Sequence, residues 1–281
     1  MKKGINIFSY QKGRALKEYM TIAKDAGFDG IELAMSLEGE LNLDSSEAEI
    51  SEVRKQADEI GIELKSLVSG VYWKYSLTHE SEEIRETTKD IIKKHIRGAS
   101  LLGCDTILLV PGGVDADFVP GYEVVDYEVA YNRALEALKE LSGFAEEYKV
   151  NIGVENVWNK FLLSPLEFRE FLDKISSEYV GCYFDVGNTL LTGYPEQWIR
   201  ILGKDRIKKV HLKDFRRDVG TINGFVDLLA GDVNFVEVIN ALKEIGYDDY
   251  LTAGMIPPYK NYSDQIIYNT SKSMDRIINQ K

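Results

Sequence analysis

Short apolar runs alternate along the chain with longer segments whose apolar residues recur at helical spacing, and glycine or proline marks most of the junctions. Residues 4–8 (GINIF) predict a strand, and residues 15–26 an amphipathic helix stopped by Gly27. A second strand at 30–33 (GIEL) precedes a charged helix at 45–60, with Ser45 or Ser46 as N-cap and Gly61 as its stop. The pattern then repeats: strand 63–68, a long helix 81–102 ended by Gly103, and strand 106–110 broken by Pro111-Gly112-Gly113. Helix 127–148 leads to a fifth strand at 151–155 (NIGVE). Ser164-Pro165-Leu166-Glu167 has the cap, the first-turn proline and the acidic residue of a capping box. Strand 180–185 follows, then a helix begun by Pro195 and ended by Gly203, and strand 207–212. Helix 234–245, strand 250–253 (YLTA) and a closing helix at 262–278 complete the chain.

Eight uninterrupted strand-then-helix units are what a closed parallel barrel requires, so the expected fold is α/β, a single (β/α)8 TIM barrel forming one domain over residues 1–281. The length of 281 residues suits one such barrel. GxGxxG and GxxxxGK[ST] are both absent, which removes the main support for a nucleotide site. A net charge of -12 disfavours nonspecific binding to nucleic acid or an anionic membrane, although local basic groups could still hold a phosphate. Cys104 and Cys182 lie in predicted buried segments without CxxC spacing and read as reduced core thiols. The first apolar run is too short for a signal peptide core, and no window approaches the roughly 18 apolar residues of a membrane span, so a cytoplasmic protein is expected.

In a parallel barrel all strands present their C-terminal ends on one face, where barrel active sites lie. Strand five ends in Glu155, six in Asp185 and seven in His211. Taken singly, Asp185 reads as a loop cap and His211 as a hydrogen-bonded core histidine. Together, one imidazole and two carboxylates form a ligand set for a divalent ion such as Mn2+, Co2+ or Zn2+, with positions left for substrate oxygens.

Val154-Glu155-Asn156-Val157-Trp158, Phe184-Asp185-Val186-Gly187-Asn188, Gly193-Tyr194-Pro195, Val210-His211-Leu212-Lys213-Asp214 and Gly231-Asp232-Val233-Asn234-Phe235 resemble the sugar phosphate isomerase/epimerase family, the xylose isomerase-like barrels that include ketose 3-epimerases. The resemblance implies one divalent metal, Mn2+ foremost with Co2+, Mg2+ or Zn2+ open, held by Glu155, Asp185, His211 and a second glutamate. It implies a sugar or sugar phosphate as substrate, an enediolate formed beside the carbonyl of a ketose, and a homodimer or homotetramer. One glutamate would remove the proton and the other return it to the opposite face. The second glutamate ends strand eight in the family, and Gly254 occupies its place here, so this chain is expected to be impaired. Trp158 and Asn188 stand where ketose 3-epimerases carry a substrate-binding glutamate and histidine, and Arg217 stands at the family's spacing for a substrate-binding arginine. Tyr72, Trp73 and Tyr75 could wall a sugar pocket or close the barrel by packing. Lys213 could meet an anion or pair with Asp214, Lys160 has the same ambiguity, and His79 and His95 read as solvent-facing. Two other activities remain open: a noncatalytic sugar-binding barrel that lost its carboxylate, and a metal-dependent dehydratase of an inositol-like ketone.

Overall fold

A computed structural model describes residues 1–256 and 259–280. Eight parallel strands close into a barrel: β1 (Lys2–Asn6), β2 (Gly30–Ala34), β3 (Ser66–Val68), β4 (Thr106–Leu109), β5 (Asn151–Glu155), β6 (Val180–Asp185), β7 (Ile207–Leu212) and β10 (Tyr250–Ala253). Each pairs with its sequence neighbour, and β10 returns to β1 with Ile5 opposite Ala253. A hairpin, β8 (Asp214–Phe215) against β9 (Phe225–Val226), stands outside the barrel. The helices are α1 (Leu16–Asp25), α2 (Glu47–Ile60), α3 (Glu82–Leu102), α4 (Tyr127–Tyr148), α5 (Pro165–Ile175), the short α6 (Val186–Thr189), α7 (Pro195–Arg206), α8 (Phe235–Glu244) and α9 (Gln265–Asn279). This is the expected (β/α)8 barrel. Among the described residues no helix is long and apolar enough to cross a membrane.

Period-two alternation divides each strand between two environments. Ile5, Ile31, Leu67, Ile107 and Val154 are buried against the helices, while Asn6, Glu32, Ser66, Tyr183 and His211 meet across the interior. Small residues face large ones there: a Cβ at Gly153 would meet the Tyr183 ring at 3.0 Å. At the N-terminal end, the buried Lys209 spans the barrel floor to Asp105 at 2.8 Å and to Asp249.

Local chemistry sets the boundaries. Ser46 caps α2 in a complete capping box with Glu49. Ser164 accepts from the Glu167 N–H, but the Glu167 carboxylate bonds Leu163 N and Tyr127 Oη instead of closing the box. β1 stops at Asn6 rather than residue 8, because the Asn6 side chain accepts the Phe8 N–H at 2.7 Å and turns the chain into a 3-10 turn. The third strand is also shorter than expected, with Glu63 contributing only an isolated bridge to Gly30. Gly203, at φ 69°, breaks the α7 helix where a stop was expected, and one more turn reaches Arg206. Both cysteines are free and buried. His95, expected in solvent, is instead fully buried on the inner face of α3, its Nδ1 2.7 Å from Tyr72 Oη. The apolar stripe of α3 passes through it, which the charged sequence around it conceals.

Lys209→Met should keep the packing of the stem but leave Asp105 and Asp249 without their shared cation. Both carboxylates are partly hydrated, so a loss of about 1–3 kcal/mol is expected in urea unfolding; an unchanged midpoint would remove Lys209 from the forces that close the floor.

Candidate active site

β5, β6 and β7 are consecutive neighbours, and Asp185 pairs directly with His211 in their register. Glu155 ends β5, and its carboxylate, that of Asp185 and the His211 ring each offer a ligand atom, all within 4.8 Å of one another. All three residues are buried. Strand ends remote in sequence thus meet at one depth because parallel strands share a direction.

His211 is oriented from behind. Its Nε2 lies 2.7 Å from Glu32 Oε2, while Nδ1 faces Asp185 Oδ2 at 3.8 Å and Glu155 Oε1 at 3.9 Å. Glu32 is fixed in turn by Asn6, by Ser66 Oγ at 2.6 Å and by a short contact from Tyr183 Oη. Burial alone would lower the His211 pKa, but the Glu32 charge and the bonds of Glu155 and Glu32 outweigh it and hold it at about 9. Glu32 is correspondingly held below the ordinary carboxylate range: burial opposes its charge, and His211, Ser66 and Tyr183 overcome that cost. Among the described residues the buried His211 Nδ1 has no hydrogen-bond partner, and the buried Asp185 Oδ2 is met by the Lys213 ammonium at 2.7 Å. These two ligand atoms face each other across under 4 Å, a spacing that suits a divalent ion, with Glu32 as the outer carboxylate that orients the imidazole.

Asp185 is held equally firmly. Its backbone N–H donates to Asn156 Oδ1 at 2.7 Å, Asn156 Nδ2 returns to its carbonyl, and its Oδ1 accepts from Asn188 N at 2.8 Å as α6 begins. Lys213, two residues beyond His211 on the same interior line, brings its Nζ within 2.7 Å of Asp185 Oδ2 and 3.8 Å of Glu155 Oε1. The contact with Asp185 is a largely buried ion pair. Burial opposes the Lys213 charge, yet Asp185 and Glu155 raise its pKa. Position 254 adjoins this ammonium group, since among the described residues a Cβ on Gly254 would meet Lys213 Cε at 3.2 Å and no backbone atom.

A cavity of about 190 Å³ opens above the cluster, and Trp73, Trp158, Asn188, Lys213 and Gly254 line it with Glu155. Trp158 Nε1 donates to the Asn188 carbonyl at 2.9 Å, and Asn188 Nδ2 approaches Glu155 Oε1 at 3.4 Å. Other candidates lie elsewhere. Tyr72 is fully buried with its hydroxyl on His95, so it does not face the cavity as a pocket wall would. Arg217 is exposed, its guanidinium 4.9 Å from the Tyr194 ring centroid, and it is not in the cavity wall expected of a substrate-binding arginine. Lys160 pairs with Asp115 and Asp117, and His79 faces Glu123 at 3.3 Å. Lys213 does not pair with Asp214, whose carboxylate is occupied by backbone N–H groups.

Glu32, Asn6 and Asn156 escaped the reading of the sequence. An acidic residue inside the apolar run of β2, at an inward position by alternation, was the available signal for Glu32. Asn6 and Asn156 had none, because their partners are remote in sequence.

The family model of the xylose isomerase-like TIM barrel matches residues 20–270. A putative L-ribulose-5-phosphate 3-epimerase of Escherichia coli K12 is 28% identical over 249 residues, 87% of this chain and 85% of that protein. An uncharacterized protein of Methanocaldococcus jannaschii is 27% identical over 175 residues, 61% of this chain, and the match spans 58% of its own length. Among solved structures, D-psicose 3-epimerase determined in the presence of D-fructose superimposes with a TM-score of 0.81 at 18% identity, covering 99% of both chains.

A histidine whose pKa is about 9 when folded and near 6.5 when unfolded stabilises the metal-free protein fully below about pH 6.5, and that stability is lost as the pH rises through 9. The amount is on the order of 3 kcal/mol. Thermal melts of chelator-treated protein should therefore fall between these two pH values. Glu32→Gln should flatten the slope; an equally steep slope in that variant would assign the effect to another group.

Proposed function

Because the chain belongs to the xylose isomerase-like TIM barrel family, we propose that it is a sugar isomerase or epimerase, moving a proton at the carbon beside the carbonyl of a ketose with one divalent ion, Mn2+ foremost, held by Glu155, Asp185 and His211. The observation that carries this reading is the buried convergence of ligand atoms from Glu155, Asp185 and His211 within 4.8 Å of one another, with His211 locked from behind by Glu32. A bound divalent ion would supply Lewis-acid polarisation of the substrate carbonyl.

The chain's own residues would do the rest. Glu155 is the carboxylate at the cavity wall and serves as base for the carbon-bound proton. Lys213 carries its charge on the same wall, where negative charge would develop on substrate oxygen. Asn188 and Trp158 limit how the sugar can lie against Glu155. Inversion needs a second proton-carrying group on the opposite face, and Gly254 offers none there. One carboxylate can take a proton and return one to the same face. We therefore read the chain as competent for proton exchange and impaired in inversion.

Incubation of ketoses in heavy water with Mn2+ should give deuterium beside the carbonyl with configuration retained. Gly254→Glu, whose Cβ needs only the flexible end of Lys213 to move, should add inversion and raise turnover by about two orders of magnitude. Exchange in neither protein, with metal bound in both, would sink the enzyme reading in favour of a noncatalytic sugar-binding barrel.

Lys213→Met separates charge from catalysis. Removing an ammonium group 2.7 Å from a ligand oxygen should tighten Mn2+ binding by about tenfold or more, while slowing exchange. Weaker Mn2+ binding in this variant would mean that Lys213 orders the ligands instead of competing with the ion.

A further inference from the structure

The cavity above Glu155 adjoins a second one. Phe118, Val157, Trp158, Asn188 and Ile222 line both, which sets an inner and an outer lobe side by side. The outer lobe, about 470 Å³, is more than twice the inner one of about 190 Å³. Substrate carbons that react must lie at Glu155, so a further group directed past Asn188 and Trp158 would reach the outer lobe.

That lobe is built for an apolar group. Phe161, Leu162, Leu163, Leu191 and Trp198 form much of its wall. Leu163 and Leu191 stand at its mouth with 55% and 41% of their surface in water. Lys160 and Leu162 are both held at φ 53°, a backbone conformation that side chains of their kind rarely adopt, and such strain concentrates at ligand clamps.

A phosphate, by contrast, would meet in the metal-free cleft, among the described residues, only cations already paired with carboxylates. Among the described residues, the cationic side chains lining the two lobes are Lys213, Lys160 and His211, the last paired with Glu32 at 2.7 Å. Lys213 is bound to Asp185 at 2.7 Å, and Lys160 to Asp115 at 2.6 Å and Asp117 at 2.8 Å. Asp117 itself lines the outer lobe and adds negative charge. Taking a phosphate dianion out of water into such walls carries a desolvation cost that cations already paired with carboxylates offset poorly.

Resting on the reading of the site as one for keto-sugars, we propose that the substrate is an uncharged keto-sugar bearing a ring-sized apolar substituent, with the substituent held in the outer lobe, and that a sugar phosphate is not the substrate. Calorimetry in the presence of Mn2+ tests this on the unmodified chain with three probes: the 4-nitrophenyl and the methyl glycosides of 3-keto-glucose, and L-ribulose 5-phosphate. The nitrophenyl glycoside should bind at least about tenfold tighter than either of the others, as burial of an aromatic ring predicts. Leu163→Asp combined with Leu191→Asp should shrink its advantage over the methyl glycoside to about twofold. Tighter binding of the phosphate, or equal binding of the two glycosides, overturns the proposal. Deuterium exchange run on the same probes separates the two readings: ring preference without exchange upholds the occupant of the outer lobe and overturns the enzyme, whereas exchange without ring preference does the reverse.

Discussion

Glu32 is the constraint on which the centre of the barrel depends. Its carboxylate is fully buried and accepts from β1 through Asn6, β3 through Ser66 and β6 through Tyr183, while pairing with His211 of β7. A charge in that position is tolerated only when every lone pair is met, so the network fixes the relative height and rotation of five strands. It also decides which nitrogen of His211 is committed and which faces the cleft. Fold and site therefore share one set of hydrogen bonds, and the ring could not be reoriented without reopening the core.

Charge balance explains the rest of the cluster. Three carboxylates, Glu32, Glu155 and Asp185, converge with the cations of His211 and Lys213. Exchanging the imidazole proton for a dication would bring the group to neutrality, so the buried acids are matched to a metal more closely than to the protons and ammonium they hold without one. Gly254 belongs to the same balance. A glutamate there would add a fourth carboxylate beside Lys213; its absence leaves Lys213 free to lean on Asp185, in space that a side chain at 254 would contest.

The loop beyond β7 adds Ile222 and Phe225 to the wall of the inner cavity. Asp214, although adjacent to the cluster, does no chemistry in it: its carboxylate accepts the backbone N–H groups of Phe215, Leu229, Gly231 and Val233. A Cβ at Gly231 would fall 2.3 Å from Asp214 Oδ1, so the turn closes only with glycine there. This anchoring presents Phe225, stacked on Trp158 at 5.1 Å between ring centroids, to the inner cavity. Asp214 and Lys213, neighbours in one motif, thus divide the work of building the loop and charging the site.

The sequence by itself determined the barrel, because apolar periodicity and the glycine and proline stops act locally and repeat through the chain. It also determined that Glu155, Asp185 and His211 would share one face, since strand-end position follows from parallel topology. Tertiary structure alone decided what lies around them. Glu32 looked like one acidic residue in a strand, and its partners come from four other strands. Lys213 read as a surface lysine because nothing local shows that it continues the inward line of Lys209 and His211. Tyr72 and Arg217 were placed at the substrate by sequence position, yet one turns inward to His95 and the other outward to Tyr194. Such directions depend on which remote side chains compete for the same space and the same hydrogen bonds, and that competition exists only once the barrel has closed.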